Sequence, residues 1–123
     1  MTGFASPEWI AAFDRAVRDD PNVRAAASGL GRVVVEQQLT DSGERWHVVV
    51  DHGVVRVCAG PADSADVTLA ADRADAAAIH AGTLAAQAAF MDGRLRISGN
   101  VAALSRVAPV FAAFDAPRRR IDA

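Results

Sequence analysis

The chain has 123 residues, a common size for one domain, and 51% of them are hydrophobic, which is enough to form a real core. All 13 basic residues are scattered arginines apart from one short run, and the formal net charge is −2, so the basic stripe that nucleic acid requires is missing. The single cysteine excludes an internal disulfide, and no apolar run approaches the roughly 20 residues that span a bilayer.

The first predicted elements are two helices. Ser6 is a good N-cap residue with Pro7 behind it, and apolar residues then recur at helical spacing at Trp9, Ile10, Phe13 and Val17. The pair Asp20–Pro21 restarts a shorter helix, which the glycines near residue 30 end. This opening segment therefore presents one apolar stripe to the rest of the chain.

An antiparallel meander follows. Three runs rich in valine, residues 32–40, 45–51 and 54–59, are separated by short turns. Pairing through those turns aligns Leu39, Trp46 and Ala59 on one face, which is apolar, and leaves the other face largely polar. This pattern is typical of a sheet that is covered on one side.

The second half alternates strands and helices. Residues 66–71 are predicted as a strand, Asp72 caps a helix to about residue 81, and Thr83 caps another to about residue 91. Residues 94–98 form a fifth strand, and a last apolar helix starts after Asn100, with Pro109 expected to kink or restart it. The polar residues 115–123 are predicted to be a flexible tail.

One string in this half is specific: ADVTLAADRADAAAIHAGTLAAQAAFMDGRLRISGN, residues 65–100. Its order of features is an acidic residue before an apolar strand, a helix ending in Gly82, a helix with Gln87 and Ala89–Phe90, and a short strand between Gly93 and Gly99. With this string and its order of elements, the chain resembles the sterol carrier protein type 2 (SCP-2) family. Residues 1–65 resemble the family by element order and by the strand that carries Trp46, not by a specific motif.

The resemblance implies an α+β fold: a five-stranded, mostly antiparallel sheet, covered on one face by four to five helices, with an apolar tunnel between the layers. One domain would fill residues 1–123. Helices rich in alanine approach a sheet closely and fill space poorly, which favours such a gap. The predicted ligand-binding wall consists of Phe13, Val35, Gln37, Trp46, Val48, Val50, Val55, Val57, Leu69, Ile79, Leu84, Gln87, Phe90, Ile97, Leu104 and Phe111. The alternative is that the apolar members form a filled core, and that the two glutamines lie on the surface.

The sequence gives only weak indications of catalytic or metal-binding residues. His47 is predicted opposite Cys58, where an imidazole could activate a thiol, but no third orienting group is evident and both lie on the outer face. The three histidines and one cysteine show no metal-ligand spacing. The carboxylates from Asp63 to Asp75 are explained by capping and loop solvation. No catalytic residue, metal or cofactor is therefore predicted.

Three functions stay open. The first is binding or transfer of a lipid-like ligand, such as a fatty acid, acyl-coenzyme A, sterol-like molecule or phospholipid. The second is a small enzyme or ligand-shaping protein that uses the same pocket, and the third is a protein-interaction module. The partner is expected to be a lipid-like small molecule and not nucleic acid, with transient contact with a membrane surface. The arginine run at residues 118–120 could touch anionic lipid head groups or an acidic partner, but a solvated tail is the favoured interpretation. A monomer or weak homodimer in the cytoplasm is expected, and the missing lysine beside abundant alanine indicates a GC-rich bacterial genome.

Overall fold

The computed structural model describes residues 4–122 and contains five strands and six helices within them. In chain order they are α1 (Pro7–Arg18), α2 (Pro21–Ala27), β1 (Val33–Leu39), β2 (Arg45–Asp51), β3 (Val54–Ala59), β4 (Val67–Ala71), α3 (Arg73–Ala81), α4 (Ala86–Met91), β5 (Arg96–Gly99), α5 (Val101–Ala112) and α6 (Asp115–Asp122). The predicted α+β class with a mostly antiparallel five-stranded sheet is confirmed, with one helix more than the upper number expected.

The sheet has the strand order β3-β2-β1-β4-β5, in which only the β1–β4 pair is parallel. The β2–β3 register is as predicted, with Trp46 opposite Ala59 and His47 opposite Cys58. The predicted β1–β2 register is wrong by two residues, because Trp46 pairs with Gln37 and not with Leu39. The faces are nevertheless correct, since a shift of two residues keeps every side chain on its own side.

The packed core lies under β1, β2 and β3. Ser6 caps α1 by accepting from the Trp9 N–H at 3.1 Å, as predicted. The apolar stripe of α1 then packs against the inner valines of the meander, with α2 and α5 completing the cluster. Phe13 and Val50 are both fully buried there. This half of the sheet is therefore filled by large side chains.

Helix α1 also closes the free edge of β3. The Asp14 carboxylate accepts from the Val57 N–H at 2.8 Å and from Arg56 Nε at 3.2 Å. The first bond satisfies a backbone donor that an edge strand would otherwise leave open. The second raises the pKa of Arg56.

Four local predictions need correction in the second half of the chain. Helix α4 begins after Ala85 with no side-chain cap, because the Thr83 hydroxyl donates to the Ala78 carbonyl of α3 instead. Helix α5 runs on through Pro109, so the helix does not restart there, and β5 begins at Arg96 and not at residue 94. Most importantly, residues 115–122 form a helix where a loose tail was predicted.

Candidate functional site

The second half of the fold leaves a space between sheet and helices. A cavity of about 850 Å³ lies between the inner side of β4 and β5 and the helices α3, α4, α5 and α6. Small residues border it on several elements, among them Ala71, Ala76, Ala86 and Ala108. Alanine-rich helices thus do leave unfilled space here.

The position of α3 is fixed at its N-terminal end. Asp72 caps the helix by accepting from the Asp75 N–H at 2.7 Å, and Arg73 donates to the Phe4 carbonyl at 2.7 Å and to Glu44. At its outer side, Asp75 accepts from Arg94 at 2.7 Å, which raises the pKa of Arg94. These contacts tie α3 to the β1–β2 loop and to the segment before β5.

Most of the cavity wall is apolar. The hydrophobic side chains come from β4, α3, α4, β5 and α5, together with the residues that precede β5 and follow α5. They are Leu69, Ile79, Phe90, Leu95, Ile97, Val101, Leu104, Phe111 and Phe114. Phe90 is 50% exposed and Val101 is 57% exposed, so part of this wall is in contact with solvent.

The polar lining groups are few. They are Gln37 and Gln38 of β1, His80 of α3, Gln87 of α4, Ser105 of α5, and Asp115 and Arg118 of α6. His80 also contacts the rings of Phe4, Trp9, Phe13 and Trp46, with centroid distances between 5.4 and 6.3 Å. It therefore lies where the packed aromatic core meets the cavity.

The predicted wall residues lie in three places. The structure places on the cavity Gln37, Leu69, Ile79, Gln87, Phe90, Ile97, Leu104 and Phe111. It places in the packed core under the meander Phe13, Val35, Trp46, Val48, Val50, Val55 and Val57, while Leu84 packs in a small apolar cluster beside the cavity. The role of each of these residues in binding stays a prediction.

Several lining residues were not among the predicted ones. Leu95 and Val101 follow the apolar patterns of β5 and α5, and those patterns could have identified them. His80 sits next to Ile79 in an alanine-rich helix and gives no sequence signal. Asp115 and Arg118 belong to the segment that was predicted to be a tail, so no pattern indicated that they would border a cavity.

The other candidate catalytic residues, His47 and Cys58, lie away from the cavity. His47 and Cys58 face each other on the outer side of the sheet, and His47 Nδ1 donates to the Gly60 carbonyl at 2.9 Å. Within residues 4–122, no group of three His, Cys, Asp or Glu side chains is arranged to hold a metal ion. In the same part of the chain, no helix has the length and apolar character needed to cross a membrane.

The fold and the site define a small α+β domain that has a ligand-sized apolar cavity between its sheet and its helices. Residues 12–112 match the SCP-2 sterol transfer family, and the chain belongs to that family. The class of function that membership implies is lipid binding or transfer. No curated protein sequence matches the chain.

Three solved structures are similar over nearly the whole chain. A crystal structure of sterol carrier protein 2 is 23% identical with a TM-score of 0.72, covering 95% of this chain and 98% of that one. A conserved hypothetical protein of Thermus thermophilus, described as possibly a sterol carrier protein, is 24% identical with a TM-score of 0.68, covering 98% and 91%. A UbiJ-SCP2 ubiquinone synthesis protein is 18% identical with a TM-score of 0.64, covering 95% and 96%. At these identities the likeness establishes the fold.

Proposed function

We propose that this protein binds one lipid-like molecule in the cavity and carries it without catalysing a reaction. The observation that supports this most directly is the cavity itself, about 850 Å³ in volume, mainly apolar in its lining and partly open to solvent. Small-molecule sites in proteins have volumes of roughly 300–1,000 Å³ and a similar mixture of many apolar and few polar groups. A fatty acid, an acyl-coenzyme A, a sterol-like molecule or one chain of a phospholipid are the candidate ligands.

The energetics agree with reversible binding. Burying about 15 methylene groups contributes on the order of 12 kcal/mol, at roughly 0.8 kcal/mol each. Lost translational, rotational and chain freedom costs about 4–15 kcal/mol. The balance corresponds to binding in the micromolar range for a favourable ligand, which suits a carrier that must release what it holds.

The first test is whether lipid occupies the cavity. We expect organic extraction of the purified protein, followed by mass spectrometry, to recover fatty acid or phospholipid. We also expect an uncharged fluorescent alkane probe to bind. Leu104→Trp should weaken binding of that probe by at least about tenfold, because Leu104 lines the cavity and the larger ring would occupy it.

Ala102→Trp is the matched control. Ala102 is exposed on the same helix, α5, and does not line the cavity, so this variant should keep the wild-type affinity. Circular dichroism and thermal unfolding would check that both variants fold. Repeated recovery of no lipid together with no probe binding would count decisively against the proposal.

A second candidate function is a small enzyme or ligand-shaping protein of lipid metabolism. The observation that favours it is that His80 and Asp115, two groups able to exchange protons, border the cavity. Incubation with a defined lipid and analysis of the recovered material distinguishes the two: a carrier returns the lipid unchanged. Transient membrane contact, a monomeric or weakly dimeric state and a cytoplasmic location stay predictions.

A further inference from the structure

The carboxylate and the guanidinium group of the cavity wall come from one helix. Val101 and Phe111 lie ten residues apart on α5, which corresponds to about 15 Å along the helix axis. The start of α5 contributes Val101 to the wall, and Ser105 follows one turn later. Beyond Phe111 the chain turns into α6, whose residues Asp115 and Arg118 supply the charged groups of the wall.

At the start of α6, the Asp115 carboxylate faces two guanidinium groups. Asp115 Oδ1 accepts from Arg118 at 2.7 Å, and Asp115 Oδ2 lies 2.6 Å from Arg119. Arg118 has only 11% of its side chain exposed and borders the cavity, whereas Arg119 is 72% exposed and does not. If Arg118 turns toward a ligand, Arg119 can therefore still neutralise the negative charge of the Asp115 carboxylate.

Helix α6 is held in a defined place. Arg120 Nη2 donates to Asp20 Oδ2 at 2.8 Å, and Asp20 is almost fully buried as the N-cap of α2. Pro117 of α6 is buried as well. Arg118 is thus presented to the cavity by a helix that is anchored on either side of it, which lowers the cost of ordering its side chain on binding.

We propose that Arg118 selects the ligand by its head group, and that the preferred lipid is a single chain with an anionic head, a carboxylate or a phosphate. This inference rests on the proposed function. The guanidinium binds both anions through paired, charge-assisted hydrogen bonds. The alkyl chain then follows α5 toward Val101, and because Asp115 is 51% exposed, the head group stays in contact with water.

Three probes with the same alkyl chain isolate the head group: hexadecanoic acid, hexadecanol and monohexadecyl phosphate. Each would compete with the uncharged fluorescent alkane, at a pH where the acid is ionised and below the concentration at which it aggregates. For the wild-type protein we expect an anionic probe to bind at least about tenfold more tightly than the alcohol. The tighter of the two anions tells a fatty acid from a phosphate-bearing lipid.

In Arg118→Gln the preference for the anion should disappear, while the affinity for hexadecanol stays within about twofold of the wild-type value. Arg118→Lys should keep part of the preference, since it retains the charge and loses the paired geometry. Arg106→Gln removes one positive charge from an exposed position of α5 outside the cavity and should change neither affinity. Unchanged alcohol binding also shows that the variants fold.

Two results would overturn the inference and leave the carrier function standing: equal affinities of the wild-type protein for acid, phosphate and alcohol, or an equal loss for all three in Arg118→Gln. If the uncharged alkane itself does not bind the wild-type protein, the proposed function fails, and the inference fails with it.

Discussion

Gly99 is the glycine with the least room. It ends β5 opposite Val67, at a φ of +95°. A Cβ atom at this position would lie 2.5 Å from the Asp66 carbonyl oxygen and 3.2 Å from the Val67 Cα atom. Both neighbours are backbone atoms, and the same Asp66 carbonyl accepts from the Asn100 N–H at 2.8 Å, so the chain cannot move aside without losing that bond.

Gly99→Ala is therefore expected to destabilise the protein more than Gly93→Ala. Gly93 has a similar φ of +77°, but a Cβ atom there would have no heavy atom within 4 Å, so this position isolates the cost of the backbone conformation. We expect Gly93→Ala to lose about 1–2 kcal/mol and Gly99→Ala to lose about 1–3 kcal/mol beyond that. Urea unfolding measures both values; equal losses would show that the close approach to Asp66 is relieved at no cost.

At the scale of elements, the sequence predicts the strand register where a short turn joins the two strands. The two-residue turn at His52–Gly53 fixes the β2–β3 register, and the prediction there is correct. The loop between β1 and β2 is longer, and the Leu39 N–H donates across it to the Glu44 carbonyl at 2.9 Å. Nothing in the sequence sets the length of that loop, and the predicted β1–β2 register was therefore wrong by two residues.

The outer face of the sheet shows a second feature that the sequence pattern does not predict, the burial of Glu36. Alternation along β1 places Glu36 on the polar face, yet only 6% of it is exposed. The connection from β3 to β4 crosses this face, and the Ala62 N–H donates to Glu36 Oε1 at 2.9 Å. Gln38 donates to Oε2 at 2.8 Å. This coverage depends on the strand order β3-β2-β1-β4, which periodicity within a strand does not reveal.

These contacts make Glu36 sensitive to acid. Burial raises the pKa of Glu36, but the bonds from Gln38 and Ala62, together with the positive charge of Arg45, outweigh burial and hold it below 4.5. A carboxylate with a lowered pKa stabilises the fold above its unfolded-state pKa. That contribution is lost as the pH falls through the lower, folded-state pKa.

Glu36→Gln should thus be less stable than the wild-type protein at neutral pH, by about 1–2 kcal/mol, because the bonds to a charged acceptor become bonds to a neutral one. The difference should shrink as the pH falls below 4.5 and then through the lower folded-state pKa, where the folded wild-type side chain becomes protonated. Thermal unfolding between neutral and acidic pH measures it. Glu8→Gln, at an exposed position in the first turn of α1, removes the same charge from the surface and is the control.

At the scale of the molecule, the two halves of the sheet are packed differently. Trp9 and Phe13 of α1 pack against the inner face of the meander and fill the space there, whereas the alanine-rich helices α3 and α4 border the cavity at β4 and β5. The sequence shows which residues face inward, and for that reason the predicted wall included the valines of the meander. It cannot show how far each helix stands from the sheet, because that distance depends on the side chains of both layers together.

Two substitutions on α5 compare the filled and unfilled regions directly. Val107 is fully buried in the packed core, while Leu104 borders the cavity. Val107→Ala should lose about 2–3 kcal/mol, because removing two methyl groups at roughly 0.8 kcal/mol each also leaves a new hole. Leu104→Ala removes more atoms but should lose less, because its side chain already faces open space.

A bound ligand should narrow or reverse the difference between the two variants. The uncharged alkane probe, at about 100 times its dissociation constant, is expected to stabilise the wild-type protein and Val107→Ala by about 2.7 kcal/mol each. Leu104→Ala should gain less at the same probe concentration, because it has lost part of the surface that contacts the alkyl chain. Urea unfolding with and without the probe gives all of these differences. If Leu104→Ala instead costs as much as Val107→Ala and the probe stabilises neither, the region beside α5 is filled in solution, and a cavity there cannot hold a lipid.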